Sequence, residues 1–154
     1  MASFAGPGRG DGLFDRILIV CVGNICRSPM AEALFRAAFA APPNESSAGT
    51  GALLGHPADP VARRLMQERG LDIEAHRARQ LDAALLRAHE LVLVMEQEQQ
   101  DWIESRWPEA RGRVYRWGHW SNFNVPDPYR RDEQVFREAL AWIERGLEDW
   151  KERL

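Results

Sequence analysis

The chain has 154 residues, 20 Lys and Arg against 23 Asp and Glu, a net charge of −3 and a hydrophobic share of 45%. That suits one compact domain with a real core, and the interleaved charges exclude the basic stripe of a nucleic-acid binder. Two cysteines and four scattered histidines (56, 76, 89 and 119) exclude a disulfide framework and show no metal-ligand spacing, and no apolar run approaches the roughly 18 residues of a membrane span.

The first 15 residues hold Gly, Pro, Asp and Arg with no signal-peptide core. They are expected to form a flexible tail before a single domain over 16–154, with no membrane insertion and a cytoplasmic location. The continuous apolar run Ile17 to Val22 predicts a strand buried on both faces of a parallel sheet. Gly23 and Asn24 break it, and Ser28-Pro29 predicts the start of a helix, with Ser as a possible cap and Pro in the first turn. Ala41-Pro42-Pro43-Asn44 is the expected stop of that helix. A short strand is expected over Ser46 to Thr50, helices over Pro57 to Arg69 and Leu81 to Ala88, and a second buried strand over Leu91 to Met95. Glu96 to Arg106 is helix-prone, and Val114 to Trp117 reads as the last strand. Phe136, Leu140, Ile143, Leu147 and Trp150 form one stripe of a C-terminal amphipathic helix. This alternation implies an open parallel α/β sheet, in which ligands sit beyond the carboxyl ends of the strands.

Cys21-Val22-Gly23-Asn24-Ile25-Cys26-Arg27-Ser28 lies at such an end. It joins a buried strand to a helix N-terminus, so successive backbone N–H groups can converge as an anion-binding nest, assisted by the helix dipole. Gly23 removes a side chain where the loop must curve, and Arg27 can fork onto two phosphate oxygens. Helix amides, a nearby cation and the Ser28 hydroxyl together favour the thiolate of Cys21.

The run Val20 to Pro29 closely resembles the phosphate-binding loop of low-molecular-weight protein tyrosine phosphatases: a cysteine, five residues, an arginine, then serine. His76-Arg77-Ala78-Arg79-Gln80 resembles a second segment of that family, and Val125-Pro126-Asp127-Pro128-Tyr129 its acid loop. The similarity is continuous from about Arg16 onward and is nearest to the bacterial branch associated with exopolysaccharide export and its tyrosine kinases. The fold expected is a three-layer α/β structure with four parallel strands in the order 2-1-3-4 and helices on both faces. The resemblance implies hydrolysis of phosphotyrosine through a phosphocysteine, with Cys21 as nucleophile, Arg27 as clamp and Asp127 as acid and then base. It further implies a phosphate cradle from Val22, Gly23, Asn24, Ile25, Cys26 and Ser28, a cleft wall from Tyr129, and loop support from Asn24, Ser28 and His76. The implied partner is a tyrosine-phosphorylated protein, in particular an autophosphorylating bacterial tyrosine kinase; no metal or cofactor is called for.

Other readings compete. Arsenate reductases of this scaffold need further cysteines, and none follows Cys26. Arginine phosphatases of the family carry threonine where this chain has Ile25. A catalytically silent phosphotyrosine reader would not need Asp127, and redox exchange between Cys21 and Cys26 would leave Arg27 and Asp127 without a purpose. Cys26 is either a small buried hydrophobe or a partner for a protective disulfide with oxidised Cys21. Trp117, Trp120 and Phe123 belong either to the site's rim or to the core. Arg130 follows Tyr129 where animal relatives tend to carry a second aromatic, and Ala52-Leu53-Leu54 is aliphatic where they place an aromatic, so a less aromatic cleft with a taste for acidic neighbours is expected.

Overall fold

The computed structural model describes residues 15–39 and 44–154. Its centre is a parallel sheet in the order β2-β1-β3-β4, formed by β1 (Arg16–Cys21), β2 (Asn44–Gly49), β3 (Leu91–Val94) and β4 (Val114–Arg116). Five of six β1 residues are buried and all four of β3, because both faces of these central strands are covered. Side-chain alternation divides the core in two. Ile17, Ile19, Leu91 and Leu93 face α1 (Arg27–Ala37), α2 (Pro60–Glu68) and α5 (Glu133–Lys151); Leu18, Val20, Val92 and Val94 face α3 (Ala83–Arg87) and α4 (Gln97–Arg106).

Local chemistry sets the helix starts. Asp59, Asp82 and Asp132 each accept a backbone N–H from the first turn of α2, α3 and α5. The apolar run around Pro57 therefore becomes helix three residues later than its pattern suggests, after the Asp59 cap. The sequence-predicted stop of α1 at 41–44 is not where the helix ends: α1 closes at Ala37, residues 40–43 lie outside the described residues, and Asn44 already belongs to β2. The expected tail also lies outside them up to residue 14.

The predicted stripe of α5 is buried from Phe136 to Trp150. Gly146 lies within it because a Cβ there would collide with the Trp117 ring. Trp117 is core rather than rim, and it sits just beyond β4. Its indole N–H donates to the Ile143 carbonyl at 2.8 Å, and Trp150 returns a bond to the Trp117 carbonyl at 2.9 Å. Trp120 and Phe123 pack half-buried against the same cluster. This lock fixes the segment that leaves β4 and runs on toward 125–129. Among the described residues no helix is long and apolar enough to cross a membrane.

Candidate active site

The loop after β1 is shaped from outside. The carbonyls of Cys21, Val22, Gly23, Asn24 and Ile25 accept, in order, from Thr50 N (3.0 Å), Gly51 N (3.0 Å), Leu53 N (3.1 Å), His76 Nε2 (2.6 Å) and Asp59 N (2.8 Å). In a planar trans peptide the following N–H points the opposite way. Five consecutive outward carbonyls therefore turn the N–H groups of Val22 through Cys26 into the bowl, directly ahead of α1. Asn24 N indeed donates to the Cys21 sulfur at 3.3 Å.

The sharp turn falls on Asn24, not on Gly23. Asn24 has φ +60°, whereas a Cβ on Gly23 would meet only ordinary van der Waals neighbours. Asn24 holds this conformation because its side chain is fully engaged. Its Oδ1 accepts from Arg79 N at 2.9 Å, and its Nδ2 donates to Ser28 Oγ at 2.7 Å and to Ser47 Oγ at 3.1 Å. Ser28 does not cap α1. The cap position is Cys26, which makes no side-chain bond, and the Ser28 hydroxyl lies in the buried first turn, 3.0 Å from Cys21 Sγ. His76, desolvated by burial, is held below the usual histidine value. A neutral ring carrying its proton on Nε2 is the form that donates to Asn24 O.

Arg27 is almost fully buried, and its NH1 donates to Glu96 Oε1 (2.9 Å) and to the Val125 carbonyl (2.8 Å), while NH2 lies 3.6 Å from Asp127 Oδ2. A buried guanidinium needs such partners to offset its lost hydration. One side chain thereby ties the loop after β1 to the end of β3 and to the 125–129 segment. Asp127 and Tyr129 are both more than a third exposed, and Tyr129 N donates to Asp127 Oδ1 at 3.0 Å. Cys21, Val22, Gly23, Ile25, Cys26 and Arg27 line one small cavity of about 100 Å³, walled by Gly51, Leu53, Asp127 and Tyr129. All the predicted site residues thus meet at this cavity except Asn24, Ser28 and His76, which stand behind it. Both cysteines are free thiols, and burial pushes the Cys26 thiol up. Among the described residues no group of three or more His, Cys, Asp or Glu is placed to hold a metal.

Three contributors escape the sequence pattern. Glu96 lies two residues past the end of β3 and braces Arg27; a carboxylate near the carboxyl end of a central strand was the available signal. Gly49 ends β2, and a Cβ there would overlap the Val22 carbonyl and press on Asn24. Ser47, in β2, meets Asn24 across 23 residues, and nothing local announces it.

A thiol in an amide bowl, a buried arginine and a carboxylic acid across one cavity define a cysteine-dependent phosphatase site. A family model described as low molecular weight phosphotyrosine protein phosphatase matches residues 16–154, and the chain belongs to that family. It is 48% identical over 140 residues, covering 90% of this chain and 94% of the relative, to a probable low molecular weight protein-tyrosine-phosphatase EpsP of Ralstonia solanacearum. Its fold is similar to Vibrio vulnificus Wzb in complex with benzylphosphonate, with TM-score 0.86, 37% identity and coverage of 92% of this chain and 99% of that one. It is also similar to the YwlE arginine phosphatase of Geobacillus stearothermophilus, with TM-score 0.83, 31% identity and coverage of 89% and 90%. The enzyme is a protein tyrosine phosphatase of the cysteine-dependent type.

Proposed function

We propose that Cys21 attacks phosphorus in line with the tyrosyl oxygen, forming an S–P bond as the P–O bond to the ring breaks. Asp127 gives its proton to the departing phenolate, whose conjugate acid has a pKa of about 10 and so needs such help near neutral pH. Asp127 then takes a proton from water as the water oxygen attacks phosphorus, the S–P bond breaks and phosphate leaves. Arg27 spends NH1 on Glu96 and Val125, which leaves its Nε–H and NH2 edge for two phosphoryl oxygens. The inward N–H groups of Val22 to Cys26 neutralise the charge that spreads over the equatorial oxygens. Asn24, Ser28 and His76 hold the cradle in shape.

The observation that carries this reading is the loop whose five carbonyls are pegged outward, so that its N–H groups share one cavity with Arg27 and Asp127. Leu53 and Tyr129 make it a slot between apolar walls, which suits a flat aryl phosphate better than a short phosphoserine. Ile25, apolar and on the lining, favours phosphotyrosine over the guanidinium of phosphoarginine, although an arginine phosphatase shares the fold. The physiological substrate is a tyrosine-rich segment of an autophosphorylating kinase of polysaccharide export, and the enzyme works as one cytoplasmic domain over 16–154; the resemblance to the exopolysaccharide branch supports this.

The test is turnover of p-nitrophenyl phosphate and a phosphotyrosine peptide, with phosphoserine and phosphoarginine controls. Metal-independent hydrolysis of the tyrosine substrates, lost in Cys21→Ser, is expected. Binding of phosphotyrosine without turnover would make the protein a reader, and preference for phosphoarginine would overturn the substrate assignment.

A further inference from the structure

Of the segment His76 to Gln80, His76 and Arg79 both hold Asn24. Gln80 holds a different stretch of chain. Its backbone is fixed at the end of β2, where Gly49 N donates to Arg79 O and Leu81 N to Gly49 O, each at 2.9 Å. From there its carboxamide reaches the turn after β2. Oε1 accepts from Ala52 N at 2.9 Å, and Nε2 donates to Thr50 O at 2.8 Å and to Leu81 O at 3.3 Å. The partners fix which way the amide faces, because a backbone N–H only donates and a carbonyl only accepts.

Thr50 and Gly51 are two of the pegs on the phosphate loop: their N–H groups take the carbonyls of Cys21 and Val22. The turn is thus gripped from both sides, by the loop on one and by Gln80 on the other. Through the planar peptide those two carbonyls set the N–H groups of Val22 and Gly23. This half of the bowl has the least support of its own. Val22 is 40% exposed and Gly23 has no side chain, whereas Asn24, Ile25 and Cys26 are buried. The Asn24 and Ile25 carbonyls have separate pegs in His76 and Asp59. Leu53, the remaining peg, has an anchor of its own, since its carbonyl accepts from His56 N at 3.0 Å.

We propose that Gln80 is a positioning residue for this half of the cradle: it holds Thr50 and Gly51 so that the N–H groups of Val22 and Gly23 stay aimed at the phosphoryl oxygens. The proposal rests on reading the bowl as the phosphate site. The task needs an acceptor and a donor on one side chain of this length. Glu accepts from Ala52 but cannot donate to Thr50, and Met matches the length with neither bond. Gln80 does not line the cavity, so it acts on the substrate through the backbone of the turn.

The experiment compares wild type, Gln80→Met, Gln80→Glu and Ile103→Ala, the last thinning the core on the other face of the sheet as a control for lost stability. Each is assayed for kcat/KM on p-nitrophenyl phosphate and for the ratio of Cys21 alkylation by iodoacetate to that by iodoacetamide, with the modified residue mapped and free cysteine as reference. The anionic reagent reads the aim of the bowl, and the neutral one corrects for the reactivity of the thiol. Wild type is expected to favour iodoacetate more than free cysteine does. Gln80→Met should bring the ratio toward that of free cysteine and lower kcat/KM about tenfold to a hundredfold, the cost of a small misplacement. Gln80→Glu should also lose activity, and it serves alone if Gln80→Met does not fold. Ile103→Ala should keep the wild-type ratio although its urea midpoint falls. A wild-type ratio and full turnover in either Gln80 variant would overturn the proposal, and so would an equal loss of the ratio in Ile103→Ala, which would trace it to stability. No preference for iodoacetate in wild type would instead remove the cradle reading and the proposal with it.

Discussion

The loop proposed to hold phosphate and the loop proposed to supply the acid face the same cavity but are built in opposite ways. Residues 21–28 are mostly buried, and the carbonyls of 21–25 and every polar atom of the Asn24 side chain have a partner. The 125–129 segment is tied at its root, by Val125 N to the Met95 carbonyl and Val125 O to Arg27, but its working residues Asp127 and Tyr129 stand at the surface. The contrast follows from the chemistry. Dipoles that stabilise charge must be fixed before the reaction, because reorienting them during it would cost the energy they supply. An acid that serves two half-reactions has to meet first a phenolate and then water, and solvent contact suits it. Stability and activity should therefore be coupled in the first loop and separable in the second.

The sharpest attempt to break that comparison is Asp127→Ala. We expect a fall of about 10² to 10⁴ in turnover of the phosphotyrosine peptide. The fall should be smaller with p-nitrophenyl phosphate, and the denaturant midpoint should shift by less than about 0.5 kcal/mol equivalent. A large loss of stability would show that Asp127 is structural. Asn24→Ala should do both kinds of damage, costing about 2–4 kcal/mol in urea unfolding because it orphans buried partners, together with most of the activity. Gly49→Ala tests the loop from the adjacent strand. Its Cβ would displace the Val22 carbonyl, and we expect about 1–3 kcal/mol lost in thermal unfolding and a clear drop in kcat/KM. Unchanged kinetics there would show that the bowl tolerates movement.

Arg130, at φ +61° with its guanidinium 5.2 Å above the Tyr129 ring, offers a finer probe of the exposed side. Peptides with acidic residues beside the phosphotyrosine should be preferred a few-fold by kcat/KM, and Arg130→Ala should level them, in keeping with the small worth of exposed ion pairs. Equal preference in both enzymes would remove the idea.

The smallest effect concerns stability against pH. Burial first of all holds His76, His89 and His119 below 6.5, so their contribution is present above 6.5 and lost as pH falls through their folded values. Glu32 runs the other way: raised from 4.5 to about 7, it contributes below 4.5 and loses that contribution as pH rises toward 7. Urea midpoints measured from pH 5 to 7 should therefore climb more steeply in Glu32→Gln than in wild type. Identical slopes would contradict the raised value.

Much of this was legible in the sequence because it is local. The runs Ile17–Val22 and Leu91–Met95 supply most of β1 and β3, each run extending one residue past its strand, because an apolar β-branched run has one comfortable place in an α/β protein, and the five-residue stripe of α5 is buried for the same kind of reason. Cys21, Arg27 and Ser28 fall within one short stretch, and Asp127 was found through a second motif. Long-range partners were hidden. Ser28 looks like a cap until Asn24 and Cys21 claim its hydroxyl, and Gly23 looks like the turn until four bonds from Ser28, Ser47, His76 and Arg79 force Asn24 into it. Glu96 reads as an ordinary helix-start residue until Arg27, 69 positions earlier, is seen to bond it. Trp117 reads as the end of a strand with rim and core equally open, and the gap left by Gly146 shows where its ring goes.

Four of the five pegs on the phosphate loop are main-chain N–H groups, those of Thr50, Gly51, Leu53 and Asp59. A peg that carries no side-chain information can hold while the side chain beside it drifts. Leu53 thus grips the cradle with its amide and lines the cavity with its isobutyl group, two duties that selection can alter independently. The wall of the slot is free to be rewritten for new phosphoproteins with the chemistry beneath it untouched, and proline is the one replacement this arrangement forbids.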